Sequence, residues 1–309
     1  MKTRLILVAL LVATSCSSGQ SGGVPPATRA TESPSPSPAP TPTVTPKPEP
    51  DKPFAPAPDK RLARRPGVLA AELARVDDAL KTSVRKWRRS GNARPPQVVV
   101  LQALYQQRLY RLLSHRTKLG NRTLRRLDGI LFHSAERIVG SHRAIRGLVV
   151  PLPANFTFPT GRSKPAAELL RYYKAAQRRF GVDWSVLAAV NFIETKFGKV
   201  KATSSAGAKG PMQFMPPTWR AYGMGGRIRN DRDAIMGAAN YLRASGAGRG
   251  PAGLRRALWA YNHSDYYVKS VLGYRRYMKS RTRHYFMLYN WQVFVVTTRG
   301  DKRLTGPGL

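Results

Sequence analysis

Apolar residues recur at helical spacing over most of the chain beyond residue 60. Val68, Leu69, Leu73, Val76 and Leu80 mark a first stripe, which Pro95-Pro96 interrupts. Leu101, Leu104, Tyr105, Leu109 and Leu112 form a second, strongly apolar stripe between Val98 and Leu113. Leu124, Leu127, Ile130, Leu131 and Ile138 predict a third helix over about 121–139. Pro151, Pro153 and Pro159 then mark a linker over 151–164. From Lys164 the helical pattern resumes, with Ala167, Leu170, Tyr173 and Ala176 on one face. Asp183, just after Gly181, predicts the N-cap of the next helix. Val186, Val190, Ile193 and Phe197 predict its buried stripe, and Gly198 its stop. Near the end the period changes. Trp291, Val293, Val295 and Thr297 alternate as in a strand, and Gly300-Asp301 predicts a turn. The expected fold is mainly α: a helical region over 61–150, a helical domain over 165–285, and a tail over 286–309 with a short β-hairpin.

The first 60 residues follow other rules. Met1-Lys-Thr-Arg4 is basic, Leu5 to Ala13 is apolar, and Cys16 follows small residues. This order predicts a secretory signal over 1–16. Its apolar run is too short to span a bilayer permanently. Ala13-Thr-Ser-Cys16 resembles the lipobox of bacterial lipoproteins, which implies that Cys16 is lipidated and anchors the chain to the outer face of the cell membrane. An ordinary signal peptide that happens to contain Cys16 is the alternative. Cys16 is the only cysteine, so no internal disulfide exists. Residues 17–60 are Pro-rich and nearly free of large apolar side chains. Such a stretch cannot offset the entropy of ordering, which predicts a semi-rigid spacer.

Charge narrows the partners. The 53 Lys and Arg against 16 acids give a net charge of +37. That excess suits a polyanionic setting, either nucleic acid or a cell wall with carboxylates and phosphate polymers. The secretion signal favours the wall, and nucleic acid is not expected. Solvation of helix faces by arginine would also produce this balance. Protein partners are not legible. His115, His133 and His142 lack metal-ligand spacing and read as surface or packing residues. Neither metal clusters nor phosphate loops occur, so no cofactor is expected.

Candidate chemistry lies in residues 183–262. There stand Asn191-Phe-Ile-Glu194-Thr195-Lys-Phe-Gly198, then Ser204-Ser-Ala-Gly-Ala-Lys-Gly-Pro-Met-Gln213, and later Ala260-Tyr-Asn262. Glu194 lies about 40° around the helix from Val190 and flanks the buried stripe. It also sits near the helix C-terminus, where the macrodipole disfavours a carboxylate. Both factors predict a raised pKa and a carboxyl able to carry a proton near neutral pH. No clear second acid accompanies it. Asp183, Asp231 and Asp233 look like helix caps, and Asp265 is the only late candidate near the Tyr-Asn pair.

These motifs in this order resemble the lytic transglycosylases of the lysozyme superfamily, over residues 165–280. The resemblance implies a lysozyme-like catalytic domain that cuts the β-1,4 bond between N-acetylmuramic acid and N-acetylglucosamine in peptidoglycan strands. It implies that Glu194 is the single acid/base and that 1,6-anhydro-muramyl ends form. Thr195 stands where the family often has Ser. Met212 would line the sugar site and Gln213 would donate hydrogen bonds near it. Ser204 opens a stretch similar to that of membrane-bound transglycosylases. Tyr261 and Asn262 would face Glu194 and hold the acetamide, and the helix over 231–242 would pack beneath the site. Pro211 replaces the usual Leu, and His263-Ser264 the usual Ala-Gly. A hydrolytic muramidase and a non-catalytic wall-binding lipoprotein are the alternative readings.

Overall fold

The computed structural model describes residues 53–309. The signal segment, Cys16 and the Pro-rich stretch through residue 52 lie outside the described residues. Residues 53–60, expected as the end of the spacer, carry contacts to the fold. Phe54 lies edge-on to Tyr105 at 6.2 Å, and its carbonyl accepts from Gln102 Nε2 at 2.7 Å.

The described residues form eleven helices and a two-stranded hairpin. They are α1 (Pro66–Arg89), α2 (Gln97–His115), α3 (Thr117–Leu124), α4 (Gly129–Arg146), α5 (Ala166–Phe180), α6 (Trp184–Thr195) and α7 (Pro216–Tyr222). Then come α8 (Asp231–Ala244), α9 (Gly250–Tyr261), α10 (Asp265–Ser280), α11 (Thr282–Tyr289), β1 (Phe294–Thr297) and β2 (Gly300–Arg303). Among the described residues no helix is long and apolar enough to cross a membrane.

The expected third helix is two helices. α3 ends at Leu124 and α4 starts after Asp128, with Leu127 buried in the turn between them. Asp128-Gly129 is a local break that the apolar spacing alone does not reveal. Val68 faces outward, whereas Leu69, Leu73, Val76 and Leu80 are fully buried.

α6 is the axis of the fold. Its sequence is apolar almost all round, and every residue from Ser185 to Thr195 is buried. The single stripe expected from spacing therefore understates it; a helix apolar on all sides belongs inside. α5, α10 and α11 pack around it, and α10 packs on α4. One continuous core runs from α1 to Trp291. Its aromatic spine links α2 to α6 and α10: Tyr110 to Trp291 at 6.0 Å, Trp291 to Phe192 at 5.8 Å, Phe192 to Tyr274 at 4.7 Å.

A smaller core gathers Leu152, Phe158, Val200, Ala202, Val293 and Val295. The β-hairpin covers it in the register Val295↔Lys302 and Val296↔Asp301. Val295 and Thr297 point inward, as the alternation predicts. The turn itself is Thr298-Arg299, with Gly300 at φ 107° opening β2. Leu152 joins the hairpin by donating to the Val296 carbonyl at 2.9 Å. The hairpin is further tied to the helices. Gln107 exchanges two bonds with the Gln292 backbone, at 2.8 and 2.7 Å, and Arg111 grips Asp301 through two at 2.8 and 2.7 Å.

Candidate active site

Local chemistry at its two ends fixes α6. At its start Asp183 Oδ1 accepts from the Ser185 amide at 2.9 Å, the N-cap that the sequence predicts. At its end Lys196 and Phe197 both adopt left-handed backbone, at φ 52° and 63°, and Gly198 follows at φ 80°. Such geometry is unfavourable for side chains with a Cβ and persists only when neighbours enforce it. Thr195 is one enforcer. Its hydroxyl donates to the Pro211 carbonyl at 2.6 Å and accepts from the Gly198 amide at 2.9 Å. This double role accounts for a hydroxyl residue after Glu194. Thr195 is fully buried and holds the turn rather than offering a surface to a ligand.

The loop over 204–214 is pinned to that same turn. Lys209 and Phe214 exchange backbone bonds at 2.8 and 2.9 Å around Gly210-Pro-Met-Gln213. Gly210 has φ 76°, and a Cβ there would meet the Ile228 carbonyl oxygen at 1.9 Å, so only glycine fits. Asn191 Nδ2 donates to the Pro211 carbonyl at 2.8 Å and to Met212 Sδ at 3.2 Å. Met212 is thus buried behind the loop, where it offers no exposed surface to a sugar. Gln213 Nε2 bonds the Gly210 carbonyl at 3.0 Å and is half-buried. Ser204 closes its own turn, with its Oγ accepting from the Ala208 amide at 2.9 Å.

Glu194 is 6 % exposed. Its Oε1 accepts from the Tyr267 hydroxyl at 2.8 Å. Burial pushes the carboxyl up to about 8, against the pull of the Tyr267 bond and the Lys196 charge. Tyr261 stacks on Tyr267 with centroids 6.2 Å apart, and its hydroxyl donates to the Met212 carbonyl at 2.7 Å. Tyr261 therefore couples the loop to Tyr267 instead of bonding Glu194 itself. Asn262 is the C-cap of α9 and is buried, and its side chain makes no hydrogen bond among the described residues.

Glu194 opens onto a cavity of about 130 Å³. Phe192, Lys196 and Val200 line it together with Arg111, His142 and Arg146 from α2 and α4 and with Phe294, Val295 and Val296 of β1. Glu194 is the only acid among the lining residues. Asp265 is exposed in the first turn of α10 and does not line the cavity. Asp231 and Asp233 are not the caps of α8; Asn230 is, accepting from the Asp233 amide at 3.1 Å.

Residues 171–283 match the Transglycosylase SLT domain family. The match runs from within α5 to the start of α11. A curated relative is the membrane-bound lytic murein transglycosylase F of Thiobacillus denitrificans (strain ATCC 25259 / T1), 33 % identical over 81 residues. That alignment covers 26 % of this chain and 17 % of the relative, so the chain spans about a sixth of the length of the curated protein it matches. No solved structure matches the chain.

The SLT domain supplies Glu194, Tyr261 and Tyr267, but not the whole wall around the acid. Sequence reasoning missed Tyr267, although Asp265-Tyr-Tyr267 opens a helix directly after the Tyr-Asn pair. It also missed the α2–α4 wall. His115 and His142, isolated in sequence, stand 5.8 Å apart, and Arg111 Nη1 is 3.3 Å from His142 Nε2. Burial holds both imidazoles below their ordinary value, His115 at about 4, so both are neutral packing groups. No sequence signal joins Arg111 to Asp301, 190 positions away.

Proposed function

We propose that the protein is a peptidoglycan lytic transglycosylase with Glu194 as its single acid/base. The observation that carries this reading is a buried carboxyl, held at about 8, on an SLT domain with no second acid in its cavity. At neutral pH Glu194 is protonated. Tyr267 donates to Oε1, so the transferable proton resides on Oε2. That proton passes to the glycosidic oxygen as the bond to C1 of the muramyl residue breaks. The sugar's own acetamide oxygen supports the positive charge at C1, and the Asn262 amide holds the acetamide. The Glu194 carboxylate then removes the proton of the sugar's 6-hydroxyl, and O6 bonds to C1. No water is consumed, and a 1,6-anhydro-muramyl end results. Thr195, Ser204, Met212 and Tyr261 act by holding the loop and Tyr267 in place, and Gln213 faces the strand from the loop. Lipidation at Cys16 would place this activity at the outer face of the cell membrane, within reach of the wall.

The test is digestion of purified peptidoglycan by the full chain, with mass spectrometry of the released fragments. Anhydro-muramyl ends, lighter than hydrolytic ends by one water, are expected. Reducing ends would make the protein a muramidase. Sacculus binding with no release would make it a wall-binding protein.

A further inference from the structure

The cavity beside Glu194 has an unusual charge balance. Its charged lining residues are Glu194, Arg111, Arg146 and Lys196. Arg111 is committed to Asp301 through two bonds. Glu194 is neutral in its protonated state. Arg146 and Lys196 remain. Arg146, in the last turn of α4, makes no side-chain hydrogen bond or ion pair among the described residues. Lys196 spends one proton on the Phe192 carbonyl at 2.9 Å and has no acidic partner within ion-pair distance. His142 also lines the cavity; it is nine-tenths buried, and its Nδ1 has no partner. Gln107, committed to the Gln292 backbone, also lines it, and the rest of the wall is apolar, including Phe158, Trp291 and Val293. Two uncompensated cations beside a low-dielectric wall are costly unless an anion joins them. Lys196 already registers the cost, since burial and the neighbouring Arg111 lower it to about 8.

Resting on the lytic transglycosylase reading, we infer that Arg146 and Lys196, both lining this cavity, form a subsite for a carboxylate carried on the 3-O substituent of the muramyl residue. A carboxylate matches the planar guanidinium fork of Arg146 and leaves Lys196 as a second point charge. The carboxylate has two sources. In peptide-free strands it is the lactyl carboxyl itself; in peptide-bearing strands the lactyl carboxyl is an amide, and the anion lies further out on the stem. The subsite is built largely from outside the SLT domain, because Arg146 and His142 belong to α4. It also serves the chemistry. An anion seated there adds like charge near Glu194 and keeps the acid protonated.

The experiment is calorimetric titration of the full chain with three tetrasaccharides of alternating N-acetylglucosamine and N-acetylmuramic acid: peptide-free, peptide-free with methyl-esterified carboxyls, and stem-bearing. Wild type and Arg146→Gln are compared, with Arg146→Lys as the conservative variant. The wild type is expected to bind the peptide-free acid about tenfold more tightly than its ester, the scale of one charge-assisted contact. Arg146→Gln is expected to lose that preference, and Arg146→Lys to recover part of it. Preference for the stem-bearing strand over the acid, lost in the same variant, would assign the subsite to the stem. Equal binding of acid and ester by the wild type overturns the proposal. Fragment release measured in parallel keeps the two readings apart: discrimination without cleavage retains the subsite and removes the lyase, and cleavage without discrimination does the reverse.

Discussion

The two ends of α6 each carry a buried or half-buried carboxylate, and they behave in opposite ways. Asp183 begins the helix. Burial alone would raise it, but the Lys279 ammonium at 2.5 Å and the Ser185 bonds outweigh burial and hold it below its ordinary range. Glu194 ends the helix. Burial raises it to about 8, and one tyrosine hydroxyl and a neighbouring ammonium do not offset that. The helix dipole adds to each shift, favouring the anion at the start and opposing it at the end. Burial alone therefore does not make an acid; the partners supplied at each end decide whether a carboxyl holds its charge or its proton.

Removing the acid breaks the comparison most strongly. Glu194→Gln is expected to lower release of fragments by about 10³-fold, with the helical circular dichroism spectrum intact. The same change should also stabilise the protein. A carboxyl whose folded pKa is raised binds more protons folded than unfolded, so its presence costs stability as pH rises between its ordinary value and about 8. Thermal melts should show the variant gaining on the wild type from pH 5 to pH 9; equal melting across that window would sink the pKa assignment.

Thr195→Val removes the hydroxyl that ties the strained end of α6 to the loop. It strands the buried Gly198 amide and removes one of the two donors to the Pro211 carbonyl, at an expected cost of about 2–3 kcal/mol in urea unfolding. Tyr267→Phe sharpens the acid itself. Activity in the wild type should be present below pH 8 and fall as pH rises through about 8, because the proton must be on Glu194. The Tyr267 bond lowers that value, so its loss should move the falling limb to higher pH while reducing kcat about tenfold. An unmoved limb would show that Tyr267 does not tune the acid. The smallest effect lies at the other end. Asp183→Ala should cost about 1 kcal/mol at neutral pH, from the lost cap. The charged part of that contribution disappears as acid titration passes from about pH 3.9 down through the depressed folded value.

What was legible in the sequence was local. Asp183 as a cap, Glu194 as a flanking acid and the alternation from Trp291 to Thr297 all follow from residues within one or two turns of each other. The break at Asp128-Gly129 was overridden by apolar spacing that continues across it. The full burial of α6 follows from residues packed on it from far along the chain. The cavity wall was illegible for a stronger reason. Gln107 with Gln292, Arg111 with Asp301, and Leu152 with Val296 are long-range pairings whose members carry no motif. Sequence thus exposes the residue that moves the proton and hides the residues that surround it.

Those pairings have a topological consequence. The helices before the SLT domain and the hairpin after it are stitched to each other, so the two flanks form one frame and the SLT domain is a loop spliced between its halves. Pro58 even meets Arg303 at the far seam, through a bond of 3.4 Å from the guanidinium to the Pro58 carbonyl. A frame closed across both flanks cannot be pared from one side only. Deleting the hairpin would strip Gln107 and Arg111 of α2 of their partners as surely as deleting α2 would leave the hairpin without a seat.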